Sequence, residues 1–253
     1  MKSIKILTVL IAALFSVATV SAQSTANTKP TIIFVHGIWA DGSSWAAEFS
    51  ELQAKGYNVI LVQNPLTSLA EDVASTQRAI DQAPGKVILV GHSWGGFVIT
   101  QAGNDPKVTG LVYVAGFAPD AGETIPTLSA NGSATELSKY FVATGGYLYL
   151  SEEGIKKVFA PDLGEREQDF IFASQVPASQ AILADKLTDP AWKTKASWFI
   201  ISKNDKTISP DLERFMAKRM NAKTTEIESG HLSLISHSKE VVAVIEAAAN
   251  SKQ

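Results

Sequence analysis

The sequence predicts an α/β fold: a doubly wound, mostly parallel six-stranded sheet with an inserted helical cap. Short apolar runs rich in Val and Ile alternate with helical patterns along most of the 253 residues. This alternation is typical of parallel strands joined by helical crossovers. One long stretch, between residues 118 and 195, interrupts the alternation and indicates an insertion.

Six segments are predicted strands because each is a short, mostly continuous apolar run. Such runs suit strands that helices cover on both faces. Right-handed crossovers then build a doubly wound sheet, so all six strands are expected to run parallel. The predicted strands cover residues 31–36, 57–63, 86–90, 110–115, 196–202 and 223–228.

Helices are predicted between the strands from capping signals and periodicity. Ser68 followed by Glu71 reads as a capping box, and the apolar residues that follow share one helical face. Pro210 suits the first position of a helix that continues to Met220. Residues 239–249 form the last predicted helix.

The segment between residues 118 and 195 contains no convincing strand pattern. A loop of that length without secondary structure is uncommon in a compact domain. We therefore predict a small helical cap, inserted at about residues 119–195. The helical candidates within it are residues 133–140, 152–159, 165–174 and 179–187.

Residues 1–22 have the pattern of a cleavable secretory signal peptide. Lys2 and Lys5 precede an apolar run over residues 6–17, and the small residue Ala22 ends the predicted cleavage site. The run is shorter than the roughly 20 apolar residues of a membrane-spanning helix. We expect a secreted or periplasmic protein whose α/β domain covers residues 23–253, without membrane association after cleavage.

The composition argues against two further classes of protein. The formal net charge is −3 and no basic block appears, so binding to nucleic-acid phosphates is not expected. The chain contains no cysteine, which excludes disulfides. The sequence gives no indication of the oligomeric state.

The stretch VILVGHSWGGFVIT, residues 87–100, places Ser93 between a strand pattern and a helix pattern. Gly91 and Gly95 complete the G-x-S-x-G arrangement of a nucleophile elbow. Small neighbours permit a strained serine backbone, and Gly96 lets the helix approach the sheet. Ser93 is therefore a candidate nucleophile. An ordinary glycine-rich turn is the alternative interpretation.

A serine nucleophile needs a base, and the chain has four histidines. His231 follows the last predicted strand and satisfies the chain order serine, acid, histidine. His36 follows the first strand, and His92 adjoins the serine. His237 is expected on the surface where the last helix begins. No spacing typical of metal ligands appears, so neither a metal nor another cofactor is predicted.

Asp205 is the predicted acid that orients the base. It follows the fifth predicted strand at its carboxyl end, the edge where catalytic groups gather in open α/β sheets. Asp120, after the fourth strand, is the competitor, and Glu228 lies in the last strand. A plain turn role for Asp205 is the alternative, since an Asn-Asp pair favours turns.

Two backbone N–H groups are candidates for holding an oxyanion. Gly37 ends the first strand, and the N–H of Ile38 follows it. The N–H of Trp94 directly follows the candidate nucleophile. One such donor contributes about 3 kcal/mol in the transition state.

These motifs resemble those of the α/β-hydrolase superfamily, over residues 31–249. FVHGIWADGSSW, LVGHSWGG and GLVYVAGFAPDAGE look like cap-bearing bacterial serine esterases, a branch similar to plant methyl esterases and hydroxynitrile lyases. The resemblance implies a triad of Ser93, Asp205 and His231, with the oxyanion donors named above. The plant lyases carry a lysine directly after the catalytic histidine, where this chain has Leu232, and this departure argues against their chemistry.

We therefore expect a serine hydrolase that acts on carboxylic esters through an acyl-enzyme. Aromatic side chains in the cap, such as Phe159 and Phe170, favour a small to medium apolar or aromatic ester as the partner. Two alternatives use the same fold: a cofactor-free perhydrolase or lyase, and a slow-turnover protein that binds a small molecule.

Overall fold

The computed structural model describes residues 29–251. The predicted signal peptide, residues 1–22, lies outside them and stays a prediction. A six-stranded sheet with the order β2-β1-β3-β4-β8-β9 forms the centre of the fold, and every neighbouring pair is parallel. This confirms the predicted sheet. Its strands are β1 (Thr31–Val35), β2 (Val59–Val62), β3 (Val87–His92), β4 (Val108–Val114), β8 (Ala196–Ser202) and β9 (Lys223–Ile227).

The apolar runs form strands because helices cover both faces of this sheet. Every residue of β1 and β3 is buried, so no polar alternation remains in them. The edge strand β9 differs, since four of its five residues, Lys223 to Glu226, are exposed. The carboxyl ends of the central strands meet at one edge of the sheet, and the candidate site residues follow them.

The helices between the strands begin close to their predicted capping signals. The Ser68 hydroxyl accepts a hydrogen bond from the Glu71 N–H at 3.2 Å, and Pro210 is the first residue of α7. The helices are α1 (Ala46–Ala54), α2 (Leu69–Gln82), α3 (Trp94–Ala102), α4 (Ile125–Ser129), α5 (Glu152–Gly154), α6 (Glu165–Ser174), α7 (Pro210–Arg219), α8 (Ser233–Ser236) and α9 (Ser238–Ala249).

The prediction that residues 118–195 contain no strand is wrong. Strands β5 (Phe141–Thr144) and β6 (Tyr147–Leu150) pair as an antiparallel hairpin, and β7 (Ala178–Ser179) adds a third strand. Gly145 and Gly146 form the turn with φ of 59° and 84°. Two glycines between short runs rich in β-branched and aromatic residues are a hairpin signal, which the helical interpretation overlooked.

The helical candidates in this insertion have mixed outcomes. Helix α6 covers the predicted residues 165–174, whereas α5 continues as a π-helical turn, Ile155–Phe159. The other two candidates contain only 3₁₀ turns, Leu137–Tyr140 and Gln180–Ala184. Neither turn extends because one runs directly into β5 and the other begins directly after β7.

The insertion is bonded to the main sheet and its loops at several points. The Trp39 indole donates to the Leu148 carbonyl at 3.1 Å, and the Ser179 N–H donates to the Leu66 carbonyl at 2.8 Å. These bonds hold the small sheet over the loops that follow β1 and β2. Across residues 29–251, no helix combines the length and the apolar character needed to cross a membrane.

Candidate active site

Ser93 occupies a sharp turn between the end of β3 and the start of α3. Its backbone is in the left-handed region, with φ 52° and ψ −120°, which is rare for a residue with a side chain. Its carbonyl accepts hydrogen bonds from the N–H groups of Gly96 and Phe117, each at 3.0 Å. These bonds hold the strained conformation in place.

The glycines around Ser93 are required by close backbone contacts. A Cβ at Gly91 would lie 2.5 Å from the Gly95 carbonyl oxygen. A Cβ at Gly95 would overlap the carbonyl oxygen of Val35 in β1. The elbow therefore accommodates no side chain at either position of the motif.

His231 and Asp205 form a buried hydrogen-bonded pair. The His231 Nδ1–H donates to Asp205 Oδ2 at 2.6 Å, and both side chains are fully buried. The other carboxylate oxygen, Oδ1, accepts the N–H groups of Thr207 at 2.6 Å and Ile208 at 3.0 Å. The Asp205 carboxylate thus accepts three hydrogen bonds. Among residues 29–251, the buried Nε2 of His231 has no hydrogen-bond partner, the Ser93 hydroxyl included.

His92 joins the His231 loop to the nucleophile elbow. Its Nε2–H donates to the His231 carbonyl at 3.0 Å, and the two rings lie 4.6 Å apart. Burial, followed by the charge of His231, lowers the pKa of His92 well below its usual value. His92 is therefore a neutral donor, and it places the histidine loop against the residue that precedes Ser93.

The alternative acid and base residues are engaged elsewhere. Asp120 forms an ion pair with Lys193 at 2.5 Å, and Glu228, which directly follows β9, pairs with Lys203. His237 is part-buried, and its Nδ1 contacts the Ser236 hydroxyl at 2.9 Å. All of these bonds lie outside the Asp205–His231 pair.

The loop after β1, which carries Ile38, is positioned by His36. The His36 Nε2 accepts the Asn64 N–H at 2.9 Å, and its Nδ1–H donates to the Gly37 carbonyl at 2.9 Å. Burial lowers the pKa of His36, which keeps the ring neutral. A Cβ at Gly37 would lie 2.8 Å from the Ser93 Cβ, so this loop touches the elbow. The oxyanion role of the Ile38 N–H stays a prediction.

The Trp94 side chain anchors the first turn of α3. Its fully buried indole donates to Asp72 Oδ2 at 2.8 Å, and Asp72 Oδ1 accepts the Leu66 N–H at 2.9 Å. Burial raises the pKa of Asp72 to about 6. In Trp94, the candidate oxyanion donor is the backbone N–H, and this role stays a prediction. The role of Asp72 was not predicted, because it depends on contact between α2 and α3.

Asp162 is a second residue that the sequence analysis did not predict. It lies in the insertion and accepts hydrogen bonds from the loop that carries His231. Its Oδ2 accepts the Gly230 N–H at 2.8 Å and the Ser236 hydroxyl at 3.1 Å. These two donors lie on either side of His231 in the chain. No local pattern marks Asp162, since its partners are distant in sequence.

An apolar cavity of about 440 Å³ lies between the insertion and the main domain. Trp39, Phe159 and Leu232 form part of its wall, and α6 contributes Phe170 and Ile171. The Phe159 ring lies 5.4 Å from the His231 ring, so this wall also borders the candidate base. Residues 29–251 contain no group of three or more acidic or histidine side chains arranged to hold a metal.

The parallel sheet, the strained serine turn and the buried histidine–aspartate pair are typical of one protein family, and a sequence comparison identifies the same family. The family profile described as "Alpha/beta hydrolase family" matches residues 32–244, and the chain belongs to that family.

Named relatives are distant. A carbendazim hydrolyzing esterase of Nocardioides sp. (strain SG-4G) is 29% identical over 46% of this chain and 52% of its own length. The match therefore spans about half of that relative. The alpha/beta hydrolase nvfD of Aspergillus novofumigatus (strain IBT 16806) is 23% identical over 87% of this chain and 97% of its own.

Solved structures share the fold at low identity. A pyrethroid hydrolase from Sphingobium faniae JZ-2 has a TM-score of 0.76 and 19% identity, covering 88% of this chain and 98% of that one. An extracellular alpha/beta-hydrolase from a Paenibacillus species has a TM-score of 0.75 and 18% identity, covering 88% and 100%.

Proposed function

We propose that this chain is a serine hydrolase that cleaves carboxylic esters through an acyl-enzyme, with Ser93, His231 and Asp205 as its triad. One observation carries the proposal. The buried 2.6 Å bond between His231 and Asp205 leaves the histidine Nε2 free, in a loop that His92 fastens to the serine elbow. An oriented base that can reach a strained serine is the arrangement that activates a hydroxyl.

In the proposed reaction, His231 Nε2 removes the Ser93 hydroxyl proton while the oxygen attacks the ester carbonyl. The N–H groups of Ile38 and Trp94 hold the resulting oxyanion. His231 then donates the proton to the departing alkoxide, which leaves an acyl group on Ser93. Water repeats the sequence in reverse and releases the acid. General base action of this kind contributes ~10²–10⁴-fold.

The apolar cavity supports a small to medium apolar or aromatic ester as the substrate. Its volume of about 440 Å³ falls in the range of small-molecule sites, and its wall includes Trp39, Phe159 and Phe170. The names of the carbendazim hydrolyzing esterase and the pyrethroid hydrolase agree with an ester-cleaving role for relatives.

The first experiment compares wild-type protein with Ser93→Ala on p-nitrophenyl esters of increasing acyl length. We expect wild-type turnover to be greatest for short to medium chains. Ser93→Ala should lower kcat by at least about 10⁴-fold with an unchanged circular dichroism spectrum, because the nucleophile is lost. A fluorophosphonate probe should label the wild type at Ser93 and leave the variant unlabelled. Esterase activity retained by Ser93→Ala would overturn the proposal.

The same preparations distinguish the two alternatives. Peracid formation from peroxide and acetate that exceeds ester hydrolysis would favour a perhydrolase. Tight binding of an apolar ester with negligible kcat would favour a binding protein. Either result would replace the esterase assignment.

A further inference from the structure

Glu213 lies directly behind the candidate triad and was not singled out by its sequence. It belongs to the first half of α7, and its side chain is fully buried. Its Oε2 accepts the Ser202 N–H at 3.0 Å. The Asp205 N–H donates to the carbonyl of the same Ser202 at 3.1 Å, which brings the two carboxyl side chains together. Among the described residues, its second oxygen, Oε1, has no donor directed at it.

Two buried carboxyl groups in contact do not both ionise, because their charges repel and neither is solvated. The donors around each group decide which one keeps a proton. Asp205 accepts three hydrogen bonds, whereas Glu213 accepts one. We therefore assign the proton to Glu213.

The surrounding charges agree with this assignment. Burial and then the charge of Asp205 raise the pKa of Glu213 well above its usual value. The opposing cation is Arg214, whose guanidinium pairs with Glu226 at 2.7 Å near the surface. The remaining titratable group near Glu213 is His231, which is bonded to the far side of Asp205. In the proposed reaction, His231 is cationic only transiently.

We propose that Glu213 is a neutral positioning residue whose Oε1–H donates a hydrogen bond to the Asp205 carboxylate and holds it in line with His231. The carboxylate then keeps one orientation while the imidazole gains and loses its proton. This inference rests on the proposed function, because it assigns Glu213 a role in orienting that triad. A neutral donor adds no second negative charge behind the histidine.

Glutamine is the informative replacement, because its amide keeps a donor toward Asp205 and an acceptor for the Ser202 N–H. We expect Glu213→Gln to keep kcat/KM within about twofold and to leave the acid limb of its pH profile in place. Glu213→Met has similar length but no donor, and should lower kcat at least about tenfold with little change in KM. Glu226→Gln, which removes a surface carboxylate nearby, is the control and should match wild type.

The pH profile of Glu213→Gln can also contradict the proposal. If Glu213 were ionised, replacing it with glutamine would remove a negative charge close to His231. The acid limb of kcat/KM would then move to lower pH by a unit or more, since the imidazolium would lose stabilisation. That shift, or equal activity of the Gln and Met variants, would overturn the proposal.

A measurement without substrate separates this inference from the esterase assignment. Infrared spectra of wild type and Glu213→Gln at pH 7 should differ by one carbonyl band of a protonated carboxylic acid. Other buried carboxyl groups, such as Glu48, are present in both proteins and cancel. Loss of only carboxylate bands would overturn the neutral state of Glu213. A protonated-acid band in a protein that lacks Ser93-dependent turnover would instead contradict the proposed function.

Discussion

Ser93 combines a φ of 52° with hydrogen bonds that hold its carbonyl from two sides, one from α3 and one from the loop after β4. The turn places Ser93 at the carboxyl edge of the sheet, directly after β3. Such a conformation survives only where the surroundings determine it, and here the backbone of β1 packs against the elbow at Gly95.

At this scale we predict that Gly95→Ala is severely destabilising. Its methyl group would overlap the Val35 carbonyl oxygen, which is backbone and cannot rotate away. We expect a loss of at least about 3 kcal/mol in the free energy of unfolding, measured in urea, together with loss of esterase activity. Gly85→Ala is the control, because a Cβ at Gly85 meets nothing within 4 Å. Equal stability of the two variants would contradict the close approach.

The element scale concerns how separate helices and loops bring the site residues together. His231 follows β9, Asp205 follows β8, and the insertion reaches the histidine loop through Asp162. The parallel sheet explains why the first two meet, since its strands end at the same edge. The contact from Asp162 explains how the histidine loop is held from the opposite side.

We predict that Asp162→Ala loosens the histidine loop. The change removes the acceptor for the Gly230 N–H and the Ser236 hydroxyl. We expect the free energy of unfolding to fall by about 1–3 kcal/mol and kcat to fall more than KM changes, because the base is less well placed. Asp169→Ala is the control, since Asp169 is exposed and its ion pair with Lys156 is at 3.3 Å. Equal kcat in the two variants would argue against a role for Asp162.

At the scale of the whole molecule, buried carboxyl groups make stability depend on pH. Glu48 in α1 is fully buried, and neither of its oxygens has a hydrogen-bond partner among the described residues. Burial raises its pKa from 4.5 to about 8. The folded state therefore keeps a proton that the unfolded state loses above pH 4.5. Stability consequently decreases as the pH rises from about 4.5 to about 8.

We predict that Glu48→Gln removes this part of the pH dependence. The difference in unfolding free energy between variant and wild type should change in favour of the variant by about 2–3 kcal/mol from pH 5 to pH 7. Urea denaturation at pH 5, 6, 7 and 8 measures it. Glu51→Gln, a half-buried change on the same helix, should show at most a small trend. A constant difference across these pH values would contradict a buried, neutral Glu48.

Sequence reasoning predicted what depends on local pattern. The six parallel strands follow from continuous apolar runs, because a strand covered on both faces has no polar side to display. The prediction of Ser93 as an elbow residue follows from Gly91 and Gly95 on either side of it, since the turn has no room for a side chain at those two positions. Asp205 and His231 were predicted from their positions after parallel strands, and the structure brings them into contact.

The hairpin β5–β6 was predictable but missed. Its two-glycine turn is a local sequence signal for a hairpin. The sequence analysis predicted a purely helical cap and did not use this signal. The two 3₁₀ turns were overestimated as helices, because a pattern in sequence does not show where a neighbouring strand begins.

Tertiary structure alone decided the residues that support the site. Glu213, Asp162 and Asp72 are acidic side chains in ordinary helical or loop sequence, and nothing in their neighbours marks them. Their roles arise because folding brings each one against a donor or a carboxylate from another segment. Burial and charge act through space, so the chain order carries no signal for them, whereas glycine spacing and apolar periodicity act along the backbone and can be read directly.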